Sequence, residues 1–360
     1  MIDGQSGLDH LGFSRYLSQL SSALDVHPDS IARVIAEHKG AYDVATADRV
    51  CRAVVTTKRI TTATGRDDFP AVGDWVVLSA EPAVPRIIDV ILPRVSTLHK
   101  QYGGKTAAQL MVANADVAFI VESTDRDYSP NRFERYVVLV REGGVMPVLV
   151  LNKADKMTAA DLAERVNELK TRFEGIEVLV TSSTTDTGLD QLIGYLEPGL
   201  TYCLLGSSGV GKSTIINKLL ENDAIRTQDV STKSDRGRHT TTGRALYTMD
   251  SGTIIIDNPG SREVGVTDAQ SGIVEVFDDI ETLTTECRFT NCAHTTEPGC
   301  AVLQALNDGQ IEASHYENFL KLAKEAAHFA ATAEEKRQKD KKFGKMAKTM
   351  LDEVSQFKPR

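Results

Sequence analysis

The sequence predicts an α/β protein: a doubly wound parallel sheet, preceded by a small β-barrel and followed by a metal-binding, mostly helical region. Short β-rich runs occupy residues 31–98, and buried strand patterns alternate with helical patterns from Leu110 onward. Three of the five cysteines lie within fourteen residues of one another near the C-terminus. Strands that alternate with helices form parallel sheets covered on both faces, whereas clustered cysteines indicate a metal site.

The composition is that of a soluble protein of two or three domains, with 360 residues, of which 41% are hydrophobic and 25% charged. No run approaches the roughly 20 apolar residues that cross a bilayer, and residues 1–20, which have no basic region followed by an apolar run, are not expected to be a secretory signal. An odd, clustered set of cysteines suits a reducing compartment better than a disulfide framework. We therefore expect a cytoplasmic monomer with no membrane partner.

The charge is unevenly distributed along the chain. A net charge of −9 argues against a protein that coats nucleic acid with its whole surface. Residues 336–348, however, contain seven Lys or Arg against one Asp. This segment is either an RNA contact or a solvated helix face, and its composition alone does not decide between them.

The first hundred residues divide into an extension and a β-rich region. Residues 1–29 indicate little beyond an amphipathic helix near residues 13–24. Short strands with no helical period favour a small β-barrel after it, although a small sandwich would give the same pattern. The β-rich runs lie at residues 32–36, 51–57, 74–79 and 86–91.

From Leu110 the pattern is that of a parallel sheet. Between apolar strands, Ser129 and Pro130 are expected to begin a helix that runs to about Arg141, where Gly143 and Gly144 follow. Ligands of such sheets bind at the carboxyl ends of the strands, where every motif described below lies. The predicted strands are residues 117–121, 145–151, 178–181, 202–205 and 253–257.

A glycine-rich phosphate loop follows the strand at 202–205 and opens a helix at Lys212, the context that this motif requires. Its backbone N–H groups would surround the β-phosphate, Lys212 would bridge the β- and γ-phosphates, and Ser213 would bind Mg²⁺. The residues predicted to bind nucleotide here are Gly206, Ser207, Ser208, Gly209, Val210, Gly211, Lys212, Ser213 and Thr214.

A guanine-reading NKxD motif ends the strand at 145–151. The Asp155 carboxylate can accept hydrogen bonds from guanine N1–H and the N2 amine, and adenine offers neither donor, so GTP is preferred. At the end of the next strand, the backbone of Thr181, Ser182 and Ser183 is predicted to contact guanine O6. The motif consists of Asn152, Lys153, Ala154 and Asp155.

The order of these motifs is unusual. In an ordinary small GTPase the phosphate loop comes first and NKxD follows. Here NKxD comes first, about fifty residues before the phosphate loop. The sequence therefore predicts a circularly permuted P-loop GTPase domain.

A third motif, DxxG, ends the strand at 253–257. Asp257 would hold Mg²⁺ through water, and the Gly260 N–H would contact the γ-phosphate. The polar loop at residues 222–243 before this strand is expected to act as a nucleotide-dependent switch, in which Thr241 completes the Mg²⁺ shell.

Ser261 follows DxxG, where a glutamine orients the attacking water in many GTPases. Serine is too short for this, so we expect slow intrinsic hydrolysis, on the order of 10⁻⁴ to 10⁻² s⁻¹. His239 is a candidate catalytic residue, because a neutral imidazole can orient water. Contact with a partner is an equally good explanation for this histidine.

The clustered cysteines have zinc-ligand spacing, C-x4-C-x-H-x5-C. Three thiolates and one imidazole close a tetrahedral Zn²⁺ shell with no open position, which indicates one structural zinc ion. Cys51 and Cys203 lie in apolar strands and are expected in the core. The predicted zinc ligands are Cys287, Cys292, His294 and Cys300.

Together these features resemble the ribosome small-subunit-dependent GTPase family, also called RsgA or YjeQ. The resemblance covers residues 31–324 and implies an OB-fold RNA-binding domain at 30–100, after an extension at 1–29. It also implies the permuted GTPase domain at 101–270 and a zinc knuckle with a basic helical tail at 271–360. The matching segments are residues 70–76, 152–155, 206–213, 237–242, 257–260, 262–263 and 287–300.

The resemblance implies GTP hydrolysis to GDP and phosphate, stimulated by the small ribosomal subunit, in late maturation of that subunit. The barrel and the basic tail would contact its rRNA. A GTP-sensing RNA-binding regulator with little turnover is the alternative. A P-loop kinase is disfavoured because it needs neither NKxD nor DxxG.

Overall fold

The structure is a computed structural model that describes most of the chain. The predicted residues His239, Thr241, Gly260 and Ser261, and the basic segment 336–348, lie outside the described residues. No helix in the described ranges is long and apolar enough to span a membrane. Those ranges are residues 7–21, 24–81, 83–100, 109–125, 128–222, 244–257 and 270–327.

A closed five-stranded barrel forms the N-terminal part. The strands pair in the order β1-β2-β3-β5-β4, and β4 pairs again with β1, so the β-rich region is a barrel and not a sandwich. One predicted strand extends too far, because after Val55 the chain enters helix α2 (Thr57–Thr62), which Thr56 caps. The strands are β1 (Ile31–His38), β2 (Ala41–Ala45), β3 (Val50–Val55), β4 (Trp75–Leu78) and β5 (Arg86–Ile91).

The segment before the barrel closes one of its ends. Helix α1 (Phe13–Gln19) packs the ring of Phe13 against Trp75, with 4.8 Å between the ring centroids. Tyr16 stacks on Phe13 and donates its hydroxyl to the Pro93 carbonyl at 2.8 Å. Residues 13–19, for which the sequence indicated only an amphipathic helix, thus complete the barrel core.

A two-stranded antiparallel sheet, β6 (Thr97–Lys100) with β7 (Gln109–Ala113), leads from the barrel to the main sheet. The order in the main sheet is β10-β9-β8-β11-β13-β12, parallel except for β12. Its strands are β8 (Val117–Ser123), β9 (Met146–Asn152), β10 (Val178–Val180), β11 (Thr201–Leu205), β12 (Ala245–Thr248) and β13 (Ile254–Asp257).

Helices cover both faces of this sheet, and an apolar core fills each side. Pro130 begins α3 as predicted, but the Ser129 side chain makes no capping hydrogen bond. β8 and β9 precede β11 in the chain, yet β8 lies directly between β9 and β11 in the sheet. The helices are α3 (Pro130–Glu142), α4 (Ala159–Arg172), α5 (Leu189–Gly194) and α6 (Lys212–Asn222).

Barrel and main sheet are joined by backbone and side-chain contacts. β1 pairs with β12 at Ala36 and Ala245, so that one eleven-stranded sheet runs through the described residues of both parts. Arg33, 1% exposed, donates to the Thr201 hydroxyl at 3.0 Å and the Asn114 carbonyl at 3.1 Å. It also donates to the carbonyls of Gly73 and Leu11.

The C-terminal part is helical and packs on α3. A Cβ atom on Gly272 would lie 2.4 Å from the Val138 carbonyl oxygen, so this contact requires a glycine. The buried Glu134 carboxylate of α3 binds His315 at 2.5 Å, and Asn318 donates to it as well. The helices are α7 (Gln270–Val276), α8 (Asp278–Thr284), α9 (Ala301–Asn307) and α10, described over residues 313–327.

Candidate nucleotide site and metal centre

The phosphate loop connects β11 to α6, and its backbone can be built only with glycine at key positions. Gly206, Gly209 and Gly211 have φ angles of 139°, 84° and 105°. A Cβ atom on Gly206 would lie 2.1 Å from the Val121 carbonyl oxygen. The loop therefore lies directly on β8, with its curvature fixed by residues that lack a side chain.

Lys212, the first residue of α6, folds back over the loop. Its Nζ donates to the carbonyl oxygens of Gly206 and Ser207, both at 2.6 Å. These are the kind of acceptors that phosphate oxygens can replace. Ser213 and Thr214 follow on the first helical turn and are exposed.

Asn152 joins the NKxD motif to the phosphate loop. Its side-chain Nδ2 donates to the Val210 carbonyl at 2.8 Å, and its Oδ1 accepts from the Thr181 hydroxyl at 3.1 Å. A Cβ atom on Gly211 would lie 2.2 Å from the same Nδ2. The two motifs, about fifty residues apart in the chain, are therefore in direct contact.

The other NKxD residues are held by the ends of neighbouring strands. Lys153 has a left-handed φ of 63°, and its Nζ donates to the Asp125 carboxylate at 2.8 Å. The Thr124 hydroxyl donates to the Lys153 carbonyl at 2.7 Å. Ala154 donates its N–H to the Thr181 carbonyl at 3.1 Å.

Asp155, which the sequence predicts to read the base, is oriented by the strand end that was predicted to face guanine. The Ser182 hydroxyl donates to its Oδ1 at 2.5 Å, and the Ser183 hydroxyl makes a longer contact of 3.4 Å with Asn152 Oδ1. The sequence assigned this loop a backbone role only, so these side-chain contacts are an addition. Thr124 and Asp125, the first two residues after the apolar strand β8, were missed by the sequence reasoning.

Asp257 is the last residue of β13, and its side chain is buried. Burial raises the pKa of Asp257, and the positive charge of Lys212 opposes the rise. A second buried carboxylate, Glu122 at the end of β8, lies against Ser207 of the loop. A glutamate inside an otherwise apolar run was the signal that could have identified it.

The predicted zinc ligands converge. His294 Nδ1 is 3.5 Å from the Sγ atoms of both Cys287 and Cys300, which are 3.8 Å apart. All four ligand atoms, including that of Cys292, lie within 4.8 Å of one another. Thiolates 2.3 Å from a tetrahedral Zn²⁺ are separated by about 3.8 Å, so the donor set fits zinc.

A carboxylate shapes the loop that presents the histidine. Glu297 accepts hydrogen bonds from the N–H groups of Ala293, Thr295 and Thr296 at 2.8, 2.9 and 3.0 Å. These N–H groups lower the pKa of Glu297 to about 2. Within this loop His294 takes a left-handed φ of 58°, which turns its ring toward the cysteines.

A parallel sheet with a phosphate loop and an upstream NKxD motif in contact with it defines a circularly permuted P-loop GTPase. The family model described as "RsgA GTPase" matches residues 91–267. A model described as "50S ribosome-binding GTPase" matches residues 201–337, from the first residue of β11, so NKxD lies upstream of that match.

Curated relatives match nearly the whole chain. Small ribosomal subunit biogenesis GTPase RsgA 2 of Vibrio parahaemolyticus is 37% identical, over 98% of this chain and 95% of its own length. RsgA 1 of Bacteroides thetaiotaomicron is 35% identical, over 99% of this chain and 100% of its own. The chain therefore belongs to the RsgA GTPase family, and it is a GTP hydrolase.

Two solved structures have the same fold. YjeQ from Thermotoga maritima has a TM-score of 0.59 and 24% identity, covering 81% of this chain and 96% of its own. YloQ, described as a circularly permuted GTPase, has a TM-score of 0.58 and 24% identity, covering 86% and 98%. The predicted fold class, with a barrel before the permuted domain and a Cys/His cluster after it, is confirmed.

Proposed function

We propose that this protein hydrolyses GTP in a reaction that the small ribosomal subunit stimulates, and that it acts in late maturation of that subunit. The contact of Asn152 with Val210 supports the proposal for the site, because it joins the NKxD motif, proposed to read the base, to the phosphate loop. The relatives named for small-subunit biogenesis support the ribosomal partner.

Phosphates would bind the loop backbone and Lys212, whose ammonium exchanges the carbonyls of Gly206 and Ser207 for β- and γ-phosphate oxygens. Asp155, already oriented by Ser182, would accept from the guanine N1–H and N2 amine. Binding of the base and of the phosphates would be coupled, since Asn152 contacts both parts of the site.

Mg²⁺ bound together with GTP would supply positive charge that offsets the negative charge developing on the transferred phosphoryl group. Ser213 and Asp257 are the described residues proposed to hold it. Thr241, in the switch loop, is proposed to complete the shell, and the Gly260 N–H to contact the γ-phosphate. His239 is proposed to orient the attacking water, because Ser261 is too short to do so.

One structural Zn²⁺ is proposed at Cys287, Cys292, His294 and Cys300. Since all four ligand positions come from the protein, the ion would organise the short loops around it and leave no position for a substrate. Tyr316 of α10 donates to the His294 carbonyl at 2.6 Å, which would fix the metal loop to the helix that packs on α3.

The protein is proposed to act as a cytoplasmic monomer. Its barrel, at the N-terminal end, and its basic segment 336–348, near the C-terminus, would contact the rRNA of the small subunit. Charge segregated in this way reconciles an acidic protein with an RNA partner.

The decisive experiment is GTP hydrolysis by the purified protein, alone and with small ribosomal subunits. We expect a large stimulation that is specific for GTP over ATP and lost in Lys212→Ala. Lys218→Ala is the matched control, because Lys218 lies on the same helix but pairs with Asp186, outside the phosphate loop. Tight GTP binding without stimulation would contradict the proposal and favour a GTP-sensing RNA-binding regulator.

A further inference from the structure

Glu122 is a buried carboxylate directly behind the phosphate loop. It is the penultimate residue of β8, the strand against which Gly206 packs, and its side chain is fully buried. Its position in the strand is opposite Leu151 of β9. None of the roles proposed above for the nucleotide site uses this residue.

The groups around Glu122 come from the loop and from α3. Its Oε2 accepts from Arg132 at 2.8 Å, whereas its Oε1 is 3.5 Å from the Ser207 hydroxyl, a long contact. Ser207 also shares a side-chain hydrogen bond with Tyr136 of α3. Lys212, across the loop, acts on the carboxylate through its charge.

These surroundings act on the pKa of Glu122 in opposite directions. Burial raises the pKa of Glu122 to about 7, while the charges of Arg132 and Lys212 and the hydrogen bonds oppose the rise. Near neutral pH the group therefore exists in both forms, so a modest change in nearby charge alters its protonation.

We propose that Glu122 takes up a proton when nucleotide phosphates bind at the loop, so that nucleotide affinity falls as pH rises. This inference rests on the proposed nucleotide site. Bound phosphates bring negative charge to the loop and engage the ammonium of Lys212, which otherwise favours the carboxylate form. Both changes stabilise the protonated form of Glu122.

The direction of the pH effect follows from linkage. A group that binds protons more tightly in the complex strengthens binding at low pH and weakens it at high pH. If phosphate binding raises the pKa of Glu122 by one unit, affinity changes about tenfold across the transition. Glu122 would thus be a positioning residue that sets affinity without touching the nucleotide.

The test is calorimetry of Mg²⁺·GDP binding between pH 6 and pH 9, in buffers of different ionisation enthalpy. These data give the number of protons taken up. Glu122→Gln keeps an acceptor for Arg132 but does not titrate. We expect this variant to take up fewer protons on binding GDP at pH 7 than the wild type. The change in affinity with pH that is due to Glu122, up to about tenfold, should be absent from it. Titration of the nucleotide itself is common to both proteins and cancels.

Glu134→Gln is the matched control, because the Glu134 side chain is equally buried but pairs with Arg172 and His315, neither of which belongs to the phosphate loop. It should retain the proton uptake of the wild type. Equal proton uptake in Glu122→Gln and wild type would overturn the inference. Absence of GDP binding to the wild type would instead overturn the proposed function, and this inference with it.

Arg132→Gln provides a second test should Glu122→Gln not fold. Removing the guanidinium removes a charge that holds down the pKa of Glu122. The midpoint of the pH dependence should then move to higher pH, and proton uptake at pH 7 should decrease. An unchanged midpoint would contradict the inference.

Discussion

The side-chain amide of Asn152 donates a 2.8 Å hydrogen bond to the main-chain carbonyl of Val210. One residue belongs to the motif that comes first in this chain, and the other to the phosphate loop that follows. The contact forms because β8 lies between β9 and β11, so both strand ends meet at one edge of the sheet. The two motifs therefore meet in the sheet although NKxD precedes the phosphate loop in the chain.

Replacing Asn152 with Ala should weaken GDP binding. The Val210 carbonyl and the Thr181 hydroxyl would lose a buried partner, which costs about 1–3 kcal/mol, or about 5- to 150-fold in affinity. Fluorescent GDP titration measures this. Asn167→Ala, on the exposed face of α4, is the control, and equal affinities for the two variants would show that the contact is unimportant.

Replacing Arg33 with Gln should destabilise the whole protein. Burial lowers the pKa of Arg33 to about 10, opposed by the charges of Asp116 and Asp74, and its guanidinium still finds acceptors on four segments. Their loss should cost at least about 3 kcal/mol of unfolding free energy, measured in urea. Arg49→Gln, exposed on the same barrel, should cost little, and a similar small loss for Arg33→Gln would refute this assignment.

The contact between α10 and α3 should weaken at alkaline pH. Burial alone would lower the pKa of His315, but hydrogen bonds to Asp279 and Glu134 raise it to about 9. Because the unfolded value is about 6.5, the stability that His315 contributes is complete below about pH 6.5 and is lost as pH rises through about 9.

We expect the unfolding free energy of the wild type to fall between pH 6.5 and pH 9 by on the order of 2 kcal/mol more than that of His315→Gln. His38→Gln, which removes an exposed histidine beside Asp43 on the barrel, is the control and should behave like the wild type. The assignment fails if the pH dependence of His315→Gln matches that of the wild type.

Substitution of a zinc ligand should release the metal and loosen α9 and α10. Cys292→Ser should contain much less than the roughly one zinc ion per chain expected of the wild type, and should melt at a lower temperature. Metal analysis by mass spectrometry measures the first effect. Cys51→Ser, in barrel strand β3, should keep its zinc; full zinc content in Cys292→Ser would contradict the site.

Elements with strong local signals could be predicted from the sequence. The run at 86–91 is β5 with the same bounds, and α3 begins at Pro130 and ends one residue before Gly143. Both depend on residues that are neighbours in the chain: an apolar run between turns for the strand, and proline and glycine at the two ends of the helix.

Contacts between distant segments could not be predicted in this way. In its local sequence Arg33 is simply one polar residue in a strand. Its acceptors on Asn114 and Thr201 lie 81 and 168 residues further along the chain. The same holds for the partnership of Glu122 with Ser207. The roles of His239, Thr241 and Gly260 stay predictions, since these residues lie outside the described part of the chain.

The most direct test of the central claim, that the permuted motifs form one guanine-nucleotide site, is the base specificity of Asp155→Asn. Xanthine carries a carbonyl where guanine carries the N2 amine, and an asparagine amide can donate to it while its own oxygen accepts from N1–H. The measurement is the dissociation constant of each protein for GDP and for xanthosine diphosphate (XDP). We predict that the wild type binds GDP more tightly than XDP and that Asp155→Asn binds XDP more tightly than GDP. Identical preferences in the two proteins would contradict the claim, because Asp155 would then not contact the base.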